Sequence, residues 1–98
     1  MKATIRFAVR LDEPRGERTA LMERVVECDA LPRIGDGVQV FFDDCEDGVQ
    51  VLCVSCFLWE LVAGNLSPLV FLEPLETSLD TFSQAIISAS AAGWSKVP

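Results

Sequence analysis

The sequence predicts a mainly β protein of the α+β class: a five-stranded meander that forms a small, partly open barrel, with one C-terminal helix across one opening. Five segments of alternating or wholly apolar residues predict the strands, because turns rich in glycine, proline and acidic residues separate them. After Thr77 the apolar residues recur at helical spacing instead. We expect all 98 residues to form a single domain.

The first two strands are predicted at about residues 4–11 and 20–28. In the first, every second residue is apolar, which predicts one buried face: Ile5, Phe7, Val9 and Leu11. The charged segment 12–17 contains a proline and a glycine and is expected to be an exposed loop. Apolar residues of the second strand mix two periods, so we expect a bulge or a helical turn near 19–24.

Turn formers at residues 31–37 precede the third predicted strand, at about 38–43, and an acidic turn separates it from the fourth, at about 49–59. The fourth strand is apolar on both faces, as expected of a central strand that is covered on both sides. The fifth, at about 68–73, ends at Pro74. The core is expected to combine side chains of these strands and the first: Phe7, Val9, Val40, Val51, Cys53 and Phe57.

The helix is predicted at about residues 79–92. Thr77 or Ser78 can accept the free N–H groups at its start, and Gly93 is placed to end it. The predicted buried face consists of four residues at helical spacing: Leu79, Phe82, Ile86 and Ala89.

The same helix provides the candidate self-association surface. The fifteen residues from Thr81 to Ser95 carry no charge, whereas a helix with one face in water normally carries lysine and glutamate there. Its outer side is small or apolar, which lets a second backbone approach. We therefore expect a homodimer that buries Phe82, Ile86, Ile87 and Trp94. The alternatives are docking on a different protein and a serine-rich surface helix.

From Leu31 to about residue 73 the order is a Leu-Pro-Arg-Ile-Gly-Asp turn, a strand, an acidic hairpin, a long strand, a hairpin and a strand. This order resembles the small SH3-like β-barrel proteins of bacteria and phages, many of which carry a similar Pro-x-x-Gly-Asp turn before a strand. The resemblance implies a barrel that serves as a binding module. It implies no site residues, since function does not follow from so common a fold.

Charge and missing residue types exclude several classes of function. The net charge is −7, and residues 36–98 alone carry −8, which argues against binding of nucleic acid. The chain has no histidine, so Ser-His-Asp and Cys-His catalysis cannot occur within it. No glycine motif for phosphate binding is present. We therefore expect no catalytic residues and no cofactor.

We expect a cytoplasmic protein that does not bind membranes. No stretch reaches the roughly 18 consecutive apolar residues that a membrane helix needs. Arg6 and Arg10 interrupt the apolar residues near the N-terminus, so we expect no secretory signal.

Four cysteines are candidate metal ligands: Cys28, Cys45, Cys53 and Cys56. The last two have the CxxC spacing of zinc ligands, but they lie on a predicted strand, where residues three apart point to opposite faces. The other two are far apart in sequence and form no second pair. We expect buried packing cysteines, with no metal site and no disulfide.

The acidic turn is the candidate partner-binding site: Asp43, Asp44, Glu46 and Asp47. Its spacing does not match a calcium-binding loop, and a hairpin tip offers no pocket that would prepare two carboxylates for catalysis. The functional interpretation is contact with a basic protein partner. The structural interpretation is a solvated turn that keeps a strand edge soluble.

These features predict a non-enzymatic protein–protein interaction module, such as an acidic inhibitor or immunity-type protein of a phage or mobile element. The first alternative is an accessory or structural subunit of a larger assembly. The second is an anion- or nucleotide-binding barrel in which Arg6, Arg10 and Arg33 gather an anion. Arg6 and Arg10 resemble the Arg-x-x-x-Arg motif of cyclic-dinucleotide-binding PilZ barrels, but residues 29–35 depart from that family's second motif, Asp-x-Ser-x-x-Gly.

Overall fold

The computed structural model describes residues 1–13, 16–43 and 48–98. In this part of the chain it has seven strands and one helix. They are β1 (Lys2–Glu13), β2 (Gly16–Glu27), β3 (Gly37–Asp43), β4 (Gly48–Val62), β5 (Asn65–Leu72), β6 (Leu75–Thr77), α1 (Phe82–Ala91) and β7 (Ser95–Lys96). The protein is therefore mainly β with one C-terminal helix, as the sequence predicts. No helix in the described chain is long and apolar enough to span a bilayer.

The strands form one curled sheet, an open half-barrel, in the order β3-β4-β5-β1-β2-β7, with β6 beside β1. β1 and β2 form one antiparallel hairpin, and β3, β4 and β5 form an antiparallel meander. The two units are joined where β1 pairs with β5 in parallel. The prediction of a single five-stranded meander is therefore wrong in its strand number and in this connection.

Strand β1 lies inside the sheet, and its predicted buried face is confirmed: Ile5, Phe7, Val9 and Leu11 are all buried. β2 pairs with β1 residue by residue along its whole length, so the bulge or helical turn expected near 19–24 is absent. The ladder extends to the pair Glu13 and Gly16. Most of segment 12–17 is therefore strand, and the expectation of a six-residue loop is wrong.

A β-bulge in β4 exchanges the two faces of that strand. Its register with β5 shifts directly after Val54. Before the bulge Leu52 and Val54 are buried while Val51 is 54% exposed, and after it Phe57 packs against the core. One extra residue reverses the alternation of side chains. The expectation that Val51 and Cys53 are buried together with Phe57 is therefore wrong.

Trp94 joins the C-terminal segment to the core. Its ring packs edge-to-face on Phe7, with ring centroids 4.8 Å apart, and its side chain is 5% exposed. Val40 is the extra residue of a second bulge, where the register between β3 and β4 shifts between Gln39 and Phe41. This bulge removes the Val40 carbonyl from the ladder, and the Trp94 Nε1–H donates to it at 2.7 Å. The bulge therefore provides the acceptor for the indole N–H, and the indole provides the donor for the Val40 carbonyl.

Helix α1 begins at Phe82, later than predicted. The Ser78 N–H donates to Thr81 Oγ1 at 2.9 Å, and the Thr81 N–H donates to the Ser78 carbonyl at 3.1 Å, so residues 78–81 form a turn ahead of the helix. Leu79 belongs to this turn and is exposed. Its assignment to the buried face of the helix is therefore wrong, as is the cap at Thr77 or Ser78.

Gly93 and Arg24 of β2 fix the end of α1. Gly93 has φ +99°, and two N–H groups beyond the helix donate to the carbonyls of Ser90 and Ala89 at 3.1 and 3.0 Å, which is a Schellman motif. Arg24 Nη1 donates to the Ala92 carbonyl at 2.8 Å. The chain turns back at this point, and the residues that follow pair with β2 as β7.

Replacing Trp94 with phenylalanine removes the indole N–H and leaves the buried Val40 carbonyl without its donor. We expect Trp94→Phe to lower the free energy of unfolding by about 1–3 kcal/mol, the cost of an unsatisfied buried polar group. Urea denaturation followed by far-UV circular dichroism measures this. Ile87→Val is the control, since Ile87 on α1 is exposed, and it should change stability by less than about 0.5 kcal/mol. Equal losses in both variants would contradict this role of Trp94.

Gly93→Ala and Gly35→Ala separate backbone strain from side-chain crowding. Both glycines have positive φ, so each alanine costs about 1–2 kcal/mol. A Cβ at residue 35 meets open space, whereas a Cβ at residue 93 lies 3.3 Å from Arg24 Cζ. We expect Gly93→Ala to lower the free energy of unfolding by roughly 0.5–1.5 kcal/mol more than Gly35→Ala does, because Arg24 must leave the Ala92 carbonyl. Thermal unfolding compares them, and equal losses would show that Arg24 contributes nothing.

Candidate functional site

A hairpin that projects beyond the sheet forms the candidate site. Strand β4 has 15 residues and its neighbour β3 has 7, so β4 continues past β3 with β5 alone beside it. β5 in turn meets β1 only from Leu69 onwards. We call residues 57–68 the arm. Its turn residues, Ala63 and Gly64, have φ +50° and +82°, which is the left-handed pair of a type I′ hairpin turn.

The arm carries apolar side chains that no described part of the chain covers. Five of them are between 54% and 73% exposed: Leu58, Trp59, Leu61, Val62 and Leu66. Glu60 is the only charged residue in the arm. Monomeric soluble proteins rarely leave so many large apolar side chains together in water, and such a patch marks a surface that meets a partner.

Strand pairing distributes these side chains over both faces of the arm. Residues opposite each other in an antiparallel pair share a face. The inner face of the arm is the one that includes Phe57, which packs against the core of the sheet. It carries Phe57, Trp59, Leu61, Leu66 and Pro68. The other face carries Leu58, Glu60 and Val62. The apolar surface therefore surrounds the tip of the arm.

The arm also forms one wall of an apolar pocket of about 440 Å³, whose other wall is the loop of residues 31–34. Hydrogen bonds fix this loop. The Gly35 N–H donates to the Val54 carbonyl and the Val54 N–H to the Asp36 carbonyl, both at 2.9 Å. The Asp36 carboxylate accepts the Arg33 N–H at 2.8 Å. Among the described lining residues Arg33 carries the only charge.

Glu60 belongs to an ion-pair cluster on the outer face of the sheet. Arg6 of β1 donates to Glu23 of β2 at 2.9 Å, and its guanidinium lies 4.0 Å from the Glu60 carboxylate. All three groups are partly exposed, so each pair contributes at most about 1 kcal/mol. The cluster directs the only charge of the arm toward the sheet and leaves the tip uncharged.

The three arginines expected to gather an anion are not brought together. Arg6 is in the cluster just described, Arg10 lies 3.3 Å from Glu76, and Arg33 is in the loop beside the pocket. Arg6 and Arg10 therefore already face carboxylates, which does not favour the expected three-arginine site.

The candidate partner-binding turn falls largely outside the described residues. Asp43 ends β3, and Asp44, Glu46 and Asp47 lie in the segment that the structure does not describe. Because β3 and β4 are antiparallel, Asp43 and Gly48 pair at the end of β4 that is remote from the arm. Asp43 and the arm therefore lie at opposite ends of β4.

The candidate self-association residues of the helix do not share one surface. Phe82 and Ile86 are partly buried against the core, and Ile87 is 59% exposed. Trp94 is a core residue, because it packs on Phe7 and donates to the Val40 carbonyl. Its assignment to a self-association surface is therefore wrong.

The bulge in β4 also changes the position of the CxxC pair. Alternation reverses after Val54, so Cys53 and Cys56 lie on the same face, and the expectation of opposite faces is wrong. Cys28 and Cys53 are partly buried and Cys56 is exposed, so none of these three is the buried residue expected. Cys45 lies outside the described residues. Within the described chain no three His, Cys, Asp or Glu residues are placed to hold a metal ion.

Sequence reasoning missed the arm. Its signal was present: the apolar residues of β4 continue to Val62 and resume at Leu66, with Glu60 as the only charge. The prediction ends the fourth strand at about residue 59 and expects cover on both of its faces. Comparison of strand lengths identifies the arm, because a strand of 15 residues extends well beyond a neighbour of 7.

A scan of protein-family models, a search of curated proteins and a search of solved structures each returned no match to this chain. The arm, the pocket and the charge distribution are therefore the basis for a functional proposal.

We expect the purified protein to contain no zinc, because two thiols on one strand face provide only half of a tetrahedral site. Elemental analysis measures the metal content, with Cys53→Ser and Cys56→Ser as paired variants. About one zinc per chain, lost in both variants, would contradict the prediction.

Proposed function

We propose that this protein is a non-enzymatic protein–protein interaction module that binds its partner through the arm. The observation that carries the proposal is the group of five large apolar side chains, each more than half exposed, at one end of the half-barrel. Ile34 of the neighbouring loop is exposed as well and extends the same surface. Exposed apolar groups of this size are typical of interfaces.

The arm supports a protein as partner because it offers two kinds of unsatisfied group. Its side chains are apolar, and β4 has no neighbouring strand on one edge in the described chain beyond Val54. Lipid tails cover apolar side chains but give the backbone no hydrogen bonds. A strand or loop of another protein supplies both.

An accessory subunit of a larger assembly is the second candidate, and the composition of the arm favours it. Permanent interfaces are more apolar than transient ones, and the arm has a single charge in residues 57–68. An acidic inhibitor would instead use Asp43 and the acidic residues that follow it in sequence, and Asp43 pairs with Gly48 at the opposite end of β4. Because the two ends are separate, mutations distinguish these functions.

Site-specific photo-cross-linking in the cells that naturally produce the protein tests the proposal. A photoreactive amino acid replaces Leu61 in the arm, and in a matched control it replaces Ile87 on α1, which has a comparable exposure. We expect covalent protein adducts from residue 61 and none from residue 87. Leu61 is exposed, so the replacement does not disturb the core.

Three results would contradict the proposal: no adduct from residue 61 at any expression level, adducts from residue 87 alone, or adducts only from a third probe at Glu46 in the acidic turn. The last result would favour the inhibitor function, in which a basic protein contacts the carboxylates.

A further inference from the structure

We infer that the arm is a dimerisation element, in which β4 of one copy pairs antiparallel with β4 of a second copy about a twofold axis at Trp59. The inference rests on the proposed function, because it names a second copy of the chain as the partner that the arm binds. The unpaired edge of β4, its register, its apolar area and the charge of the chain support it.

Among the described strands, none pairs with the second edge of β4 along the arm. The loop before β3 makes its last described hydrogen bonds to this edge at Val54. The two-residue turn makes Val62 and Asn65 the closing pair of the hairpin. The N–H and C=O groups of successive residues alternate between the two edges of a strand. The residues whose groups point away from β5 are Phe57, Trp59 and Leu61.

A twofold axis at Trp59 is the register that uses this whole edge. It sets Trp59 opposite Trp59 of the second copy and Phe57 opposite Leu61, so every outward N–H and C=O of the three residues has a partner. An axis at Glu60 would place two carboxylates opposite each other, which is unfavourable. In the Trp59 register Glu60 lies opposite Leu58 instead.

The apolar surface of the arm gives a second copy side chains to contact beside the backbone edge. Five arm residues and Ile34 are each more than half exposed, and pairing along β4 brings the side chains next to the shared edge against those of the second copy. The two inner faces also become continuous in this register, because aromatic and leucine side chains stand opposite each other across the twofold axis.

Charge favours this end of the molecule for contact between identical chains. Each copy carries −7, so two copies repel each other over most of their surfaces. The arm has one charge, and the pair of Asp43 and Gly48 lies at the other end of β4. Antiparallel pairing of the two β4 strands places these pairs at opposite ends of the dimer.

Light scattering after size exclusion tests the inference. We expect the wild-type protein at tens of micromolar to have twice the 10.7 kDa mass of one chain. Leu61→Glu places a carboxylate opposite Phe57 of the other copy, and we expect this variant to have the mass of one chain. Ile87→Glu makes the same change on α1 and should leave the dimer intact. Circular dichroism confirms that each variant is folded.

Hydrogen exchange of the wild-type protein tests the strand pairing without any substitution. We expect the amides of Trp59 and Leu61 to be protected at concentrations where the dimer is present and to exchange at least tenfold faster after dilution. The amide of Val62 is the internal control, because it faces β5 within the same hairpin and should change far less.

A wild-type mass of 10.7 kDa at tens of micromolar would overturn the inference. The proposed function would then stand only if residue 61 still cross-links to a different protein, and without that adduct both fail. A dimer that survives Leu61→Glu and dissociates with Ile87→Glu would assign the interface to α1. A dimer whose Trp59 and Leu61 amides are unprotected would exclude pairing through β4.

Discussion

The indole of Trp94 is the contact on which the rest of the structure depends. It connects Phe7 in the middle of the sheet, the bulged carbonyl of Val40 at the edge, and the end of the helix. Helix α1 has no side-chain N-cap, its own first and last turns carry no charge, and Ala89 is its only fully buried residue among those described. The cation at its C-terminal end, Arg24, comes from β2. Tertiary contacts therefore hold the helix against β1 and β3.

The sequence predicts which side chains are buried in elements with one clear hydrophobic period. It does not predict them where two arrangements of the chain would bury similar groups. Strand β1 has a single apolar face, so its orientation follows from alternation alone. In β4 both faces are apolar, and neither Val51 nor Phe57 shows which side of a bulge it occupies. The turn at residues 78–81 competes for the hydroxyl groups expected to cap the helix. Strands β6 and β7 are too short to have a period.

The interaction surface was less predictable because it depends on which strands are neighbours. Net charge and the absence of charge drew attention to the acidic turn and to the helix, both of which are local features of the sequence. The exposure of Trp59 and Leu61 follows instead from the pairing of β3, whose first residue, Gly37, lies opposite Cys53, so β3 does not extend along the arm. The hydrophobic pattern alone does not distinguish an apolar residue that another part of the chain covers from one that is exposed at an interaction surface.

The parallel pairing of β1 with β5 determines the order in which the chain folds. The hairpin of β1 with β2 and the meander of β3 to β5 contain local contacts and form rapidly, whereas β1 must reach β5 across most of the chain. We therefore expect closure of the sheet to limit the folding rate. Before closure the inner faces of both units are open to solvent, and the net charge of −7 on each chain opposes contact between such faces on different chains.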